Sequence, residues 1–158
     1  MLKKILSPET CKNCRVCCVF DKDDVWEIPL ISKDLMKAIS DERPDLKLIP
    51  RGTSSYVFDM KFEDSGLTFC PALSDTGCTL GKNKPFDCSI WPFRAMRKGE
   101  DIVITISPVC GSINPEDEAV KELATELSEI IWNEVEKNPD IVKDYIEGYP
   151  IAAIKARR

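Results

Sequence analysis

The run Cys11-x-x-Cys14-x-x-Cys17-Cys18 constrains this chain more than any other feature. Two-residue spacers let successive sulfurs converge from one tight stretch of backbone, whose N–H groups then point at them. Four more cysteines follow at Cys70, Cys78, Cys88 and Cys110, making eight in 158 residues, and there is no histidine. The missing imidazole excludes Ser-His-Asp triads, Cys-His dyads, haem or copper ligation through His, and mixed Cys/His zinc sites. Clustered thiols without metal are either buried and neutral or mutually repelling thiolates, and a metal removes that conflict. Eight cysteines also divide evenly into two four-thiolate sets. Adjacent Cys17 and Cys18 point to different sides of an extended backbone, so one of them should serve a second centre or stay free.

A C-x2-C-x2-C run is the three-ligand element of bacterial [4Fe–4S] proteins, which then need one remote Cys, whereas structural zinc usually brings two separated C-x2-C pairs. The first expectation is therefore a [4Fe–4S] cluster on Cys11, Cys14, Cys17 and one distal Cys, with a second centre drawing on the others. The alternative is zinc in Cys-only sites that staple loops together, which would make the chain a structural or interaction module. A distal Cys taken singly could also be a small buried hydrophobe. Against that, Cys70-Pro71, Gly77-Cys78, the segment Lys84-Pro85-Phe86-Asp87-Cys88 and Cys110-Gly111 set each cysteine near Pro or Gly, where the chain turns and amides can approach sulfur. A thiol nucleophile has no His to activate it and would depend on Lys, Arg or a helix terminus, so no enzyme activity is assigned.

In their order and setting these positions resemble the CxxCxxCC family of cysteine-cluster proteins, described as zinc- or iron-chelating. The resemblance runs from Cys11 to Gly111: the four-Cys run, then Cys70-Pro71 with Cys78, then Pro85 with Cys88 and Trp91-Pro92-Phe93, then Cys110-Gly111. It implies metal chelation by all eight cysteines. The family often has Arg before the Pro and after the following Cys, where this chain has Lys84 and Ser89. A longer relative type, the flagellin lysine methylases, couples a similar pattern to an iron–sulfur cluster, which implies a redox or modification-supporting role beside a protein partner. The methylase activity itself does not carry over, because the seven glycines here are isolated and form no nucleotide or S-adenosylmethionine loop.

Lys plus Arg number 22 against 27 Asp plus Glu, a net charge of −5, so no global basic field exists to hold nucleic acid or anionic lipid. Phe86, Trp91, Phe93, Arg94, Arg97 and Lys98 combine aromatic and basic character. Aromatics beside a metal site more simply wall it from water, and the basic groups on an acidic protein read as a solvated rim, so nucleic acid is not an expected partner. Asp21, Asp23 and Asp24 read as a solvated turn or helix start before Val25-Trp26 rather than a second cation site. Lys155, Arg157 and Arg158 read as a solubilising end. The apolar stretch at Leu2–Leu6 is too short for a signal-peptide core, and no run approaches the roughly 18 apolar residues of a membrane span. A cytoplasmic setting, where thiols stay reduced, is expected.

The fold expected is α+β: a small antiparallel sheet and cysteine-rich metal-binding loops covered by a C-terminal helical pair. Residues 1–112 form the cysteine-cluster region, and residues 113–158 a helical segment of the same domain. Ser32 caps a helix carrying Leu35, Met36 and Ile39, which Pro44 stops. Tyr56, Phe58, Met60 and Phe62 alternate, and Asp64-Ser65-Gly66 turns into Leu67-Thr68-Phe69 as a hairpin; Ile102, Ile104 and Ile106 alternate after the turn at Lys98-Gly99-Glu100-Asp101. Asn114 and Pro115 should start a helix with a stripe at Val120, Leu123, Ala124, Leu127, Ile130, Ile131 and Val135, read as core packing on the sheet. Asn138-Pro139 should start a second helix through Ile141, Val142, Tyr145 and Ile146, ended by Gly148.

Overall fold

The computed structural model describes residues 2–156, so Arg157 and Arg158 lie outside the described residues. Lys155, expected to belong to a solubilising end, is paired with Glu136 at 2.9 Å. The α-helices are α1 (Pro8–Cys14), α2 (Lys33–Glu42), α3 (Phe86–Ser89) and α4 (Glu118–Lys137). The strands are β1 (Val19–Asp21), β2 (Ile31–Ser32), β3 (Leu48–Arg51), β4 (Ser55–Phe58), β5 (Leu67–Phe69), β6 (Leu73–Ser74), β7 (Gly77–Cys78), β8 (Phe93–Lys98), β9 (Asp101–Ile106), β10 (Lys143–Asp144) and β11 (Ile151–Ile154). The class is α+β. The strands form four small sheets, ordered β1-β5, β10-β8-β9-β11, β2-β4-β3 and β6-β7, antiparallel except for the pair β10–β8. No helix among the described residues is long and apolar enough to cross a membrane.

The centre of the fold is α4 lying on the β8–β9 hairpin. Val120, Leu123, Ala124, Leu127, Ile131 and Val135 are buried at helical spacing and join Phe93, Ala95, Ile104 and Ile106 in one core with Phe20, Ile28 and Ile141. Burying a side chain of this size contributes roughly 1.5–3 kcal/mol, so the stripe outweighs any single cap. Ile130, expected in the stripe, is 43% exposed, because Ile131 already fills the inward position beside Leu127. The N-cap is Asp117 rather than Asn114: the Asn114 side chain accepts from Glu116 N and donates to Asp117, making a turn ahead of the helix. Ser32 caps α2 as expected, its Oγ accepting from Leu35 N.

Two expectations are corrected. The second C-terminal helix does not form: Pro139–Ile141 make one 3-10 turn, Lys143–Asp144 join β8 in parallel, and Ile151–Ile154 pair with β9. The hairpin explains this, since both its edges carry backbone groups that need partners, and satisfying them overrides a local helical signal. The hairpin expected between 56–62 and 67–69 is also absent. β4 pairs with β2 and β3, and β5 pairs instead with β1. Met60 and Phe62 alternate because they pack against the core as partly buried side chains of an irregular segment.

A clasp ties the β3–β4 turn to the end of α4. The Asp140 carboxylate accepts from Thr53 N at 3.0 Å, Ser54 N at 2.9 Å and Ser55 Oγ at 3.0 Å. Burial alone would raise its pKa, but these hydrogen bonds outweigh that and hold it below the usual carboxylate value. With the folded pKa depressed, the stability it confers is present above the unfolded value and is lost as pH falls through the folded one. Gly52 has φ +71°, and a Cβ there would stand 2.7 Å from Asp140 Cγ. Gly52→Ala should therefore lower stability by about 1–2 kcal/mol, read as a lower urea midpoint.

Candidate metal centre

The cysteine run is not one loop. Its first half is α1, started by Ser7, whose Oγ accepts from Thr10 N at 3.0 Å, with Pro8 in the first turn. Three positions apart on this helix, Cys11 and Cys14 lie on neighbouring sites of one face. Arg15 ends the helix at φ 56°, the one left-handed non-glycine among the described residues. The guanidinium holds it there, donating from Nε to Lys12 O at 3.0 Å and from Nη2 to Asp75 O at 2.9 Å. That reversal feeds a 3-10 turn, Val16–Cys18, which carries Cys17 and Cys18 with their sulfurs 4.0 Å apart.

The distal cysteines arrive by separate routes. The register Val19↔Phe69 of β1–β5 brings Cys70 beside Cys18, and Cys70 N donates to Cys18 O at 2.7 Å. Cys78 ends β7, Cys88 lies on α3, and Cys110 is in a turn where its N–H donates to Ser107 O. The cysteine-rich loops are thus corrected for Cys11, Cys14 and Cys88, which lie on helices, and for Cys78, which lies in a strand.

Two cavities collect the thiols. The outer one, about 20 Å³, is lined by Cys11, Cys14, Cys17 and Cys110. The inner one, about 60 Å³, is lined by Cys18, Cys70, Cys78 and Cys88, and also by Cys17. Cys17 touches both cavities and Cys18 only the inner, so giving Cys17 to the outer set leaves four thiols around each. Trp91 lines both cavities and is their common wall. Among the described residues, no three Cys, Asp or Glu side chains converge closely enough to hold a single ion: the thiols stand around the cavities rather than meeting at a point. A further depression of about 380 Å³ is a trough at Trp26 and residues 142–146 with no cysteine in it.

Thiol electrostatics follow from crowding. Burial pushes Cys11 and Cys110 upward and raises Cys70 to about 11. Cys88 keeps some accessible surface because it lines a cavity, yet protein surrounds it and burial drives its pKa far up. In the adjacent pair, the contact between the two thiols raises Cys17 and lowers Cys18. Lys84 and Arg94 act in the opposite direction on Cys17 and Cys88, favouring the thiolates.

Arg94, expected on a solvated rim, is instead 6% exposed, stacks 4.7 Å from the Trp91 ring centroid, and donates to Asp87 O at 2.9 Å. Its other amine is 3.5 Å from the Glu27 carboxylate. Asp87, also buried, accepts from Leu30 N and lies 4.0 Å from the Lys143 ammonium. The one sequence signal for this group is a cation set between the apolar residues Phe93 and Ala95. Trp91 and Phe93 are buried with Arg94, whereas Arg97 and Lys98 at the end of β8 are exposed. Asp21 and Asp24 are engaged locally, by Asp23 N and the Trp26 indole. No family model, curated protein or solved structure matches the chain.

Proposed function

We propose that this chain is a cytoplasmic metal-binding protein of the CxxCxxCC kind, holding two centres on Cys11, Cys14, Cys17 and Cys110 and on Cys18, Cys70, Cys78 and Cys88. The observation that carries the reading is the sorting of all eight cysteines around two cavities that share Trp91 as a wall. Four thiols around one space is a donor set that suits both iron–sulfur clusters and structural zinc. Iron–sulfur is the first reading because of the partition. Three ligands from one C-x2-C-x2-C run with a remote fourth, and the next Cys given to the other centre, is the logic of two-cluster ferredoxins. Cys110 is the remote ligand.

A cluster, when bound, supplies one-electron chemistry. The residues of this chain would hold it, screen it from water with Trp91, and offset its negative charge with Arg94 and Lys84. In that role the chain serves a redox or modification partner. Zinc is the second reading and has one observation in its favour: the outer cavity is close to the roughly 10–15 Å³ of one water-sized probe, a space suited to an ion.

Anaerobic purification without added metal tests both. Iron and sulfide in equal amounts, with a broad visible band that bleaches in air, is the expected result. Stoichiometric zinc without colour overturns the cluster in favour of zinc, and protein that takes up neither overturns metal binding altogether. Cys14→Ser and Cys78→Ser should each remove one centre's metal and leave the other's, since they line different cavities. Equal loss from both centres in either variant would contradict the partition.

A further inference from the structure

We infer that the two centres differ in kind: the outer set exchanges its metal with an incoming anionic thiol, while the inner set keeps its metal as part of the fold. This rests on the two-centre reading above. Cys11 and Cys14 are both exposed, on a seven-residue helix that has no buried residue. That helix is tied down at its two ends, by Leu6 packed with Trp91 and Cys110 before it, and by Arg15 strapped to Asp75 O after it. Elements with few buried contacts open locally at little free-energy cost. Two of the four outer ligands can therefore detach without disturbing the core, and buried Cys110 stays as the last anchor.

The inner set is placed differently. Cys18 and Cys70 are joined by a backbone hydrogen bond that extends the β1–β5 ladder, and Cys88 lies next to Asp87, which is bonded to Leu30 N. Only Cys78 of this set is exposed. Releasing metal there requires opening the β1–β5 pair, whose Phe20 lies in the main core, or the buried charge group around Asp87.

The charges beside Cys11, the exposed outer ligand, fix the chemistry of the acceptor. A cleft of about 340 Å³ runs over both centres, lined by Cys11 and Cys17 of the outer set and by Cys18 and Cys78 of the inner. Its ionisable walls are Lys12, Arg15 and Lys84, with Glu9 as the one carboxylate, on a protein whose net charge is −5. This local reversal of sign steers an anionic ligand. The exchange is a ligand substitution. The incoming thiol gives up its proton as its sulfur takes the place of Cys11 Sγ, and the departing Cys11 thiolate takes up a proton. Cys14 follows in the same way, and no electron changes hands.

The test uses the intact, metal-loaded protein under anaerobic conditions, with EDTA present and alkylation by iodoacetamide mapped by peptide mass spectrometry. Cys11, Cys14, Cys17 and Cys110 should label together with release of the first half of the metal, about tenfold or more ahead of Cys18, Cys70, Cys78 and Cys88. Release should be faster with glutathione, an anionic thiol, than with cysteamine, a cationic one, and the double variant K12E/K84E should reverse that order. Labelling of both sets at one rate, or release indifferent to thiol charge in the parent, overturns the inference while leaving the two-centre reading intact. Thiols that label identically with and without metal overturn that reading, and the inference with it.

Discussion

Arg94→Met should cost about 3–5 kcal/mol of stability, because it breaks a buried ion pair from one side. Arg94 and Glu27 have side chains 7% and 20% exposed, so the carboxylate left behind has little water to replace its partner. The substitution also removes the donor to Asp87 O and the cation over Trp91. A pH dependence identifies the cause. Burial already holds the Glu27 pKa above the ordinary carboxylate value, with Arg94 opposing the shift, so losing Arg94 raises it further. A raised folded pKa gives stability that is present below the unfolded value and is lost as pH rises through the folded one. The deficit of Arg94→Met against the parent should thus be larger at neutral pH than near pH 4, measured by urea unfolding of metal-free, reduced protein. An equal deficit at both pH values would mean that lost packing, not the unpaired carboxylate, sets the cost.

Leu127→Ala should cost about 3 kcal/mol, within the range for truncating a buried leucine that leaves a cavity. Leu127 is 1% exposed, between Ala124 and Ile131 on the inward face of α4. Metal content should nevertheless match the parent's, because neither cavity is lined by any residue of α4. Thermal unfolding and metal analysis on one preparation check both statements. A stability loss well under 1 kcal/mol would mean that the core closes around the smaller side chain.

The contrast between these variants reflects what the sequence can convey. The α4 stripe is legible because helical periodicity reports a buried face directly, and its one error, Ile130, is a neighbouring residue on the same turn. The segment after Asn138 misleads because its end signals are local while its conformation is decided by the open edges of a hairpin some forty residues earlier in the chain. At the candidate site, the extended backbone expected at Cys17 and Cys18 is instead a 3-10 turn with the two sulfurs 4.0 Å apart, a conformation that depends on the Arg15 reversal before it. Which distal cysteine joins which set is not readable, because it depends on β1 pairing with β5, and no local pattern states that pairing. Arg94 escapes detection for a related reason: a charge in a strand reads as surface unless both faces of that strand are known to be covered.

The sheet order β10-β8-β9-β11 bears on how a nascent chain acquires this fold. Both outer strands come from residues 143–154, so the β8–β9 hairpin is translated first and waits with two bare edges. Until the final strands emerge from the ribosome, each edge is a template for another polypeptide. Stalled or prematurely terminated translation products ending before residue 143 are accordingly the species most prone to aggregate, and a chaperone that shields extended backbone would act in that interval.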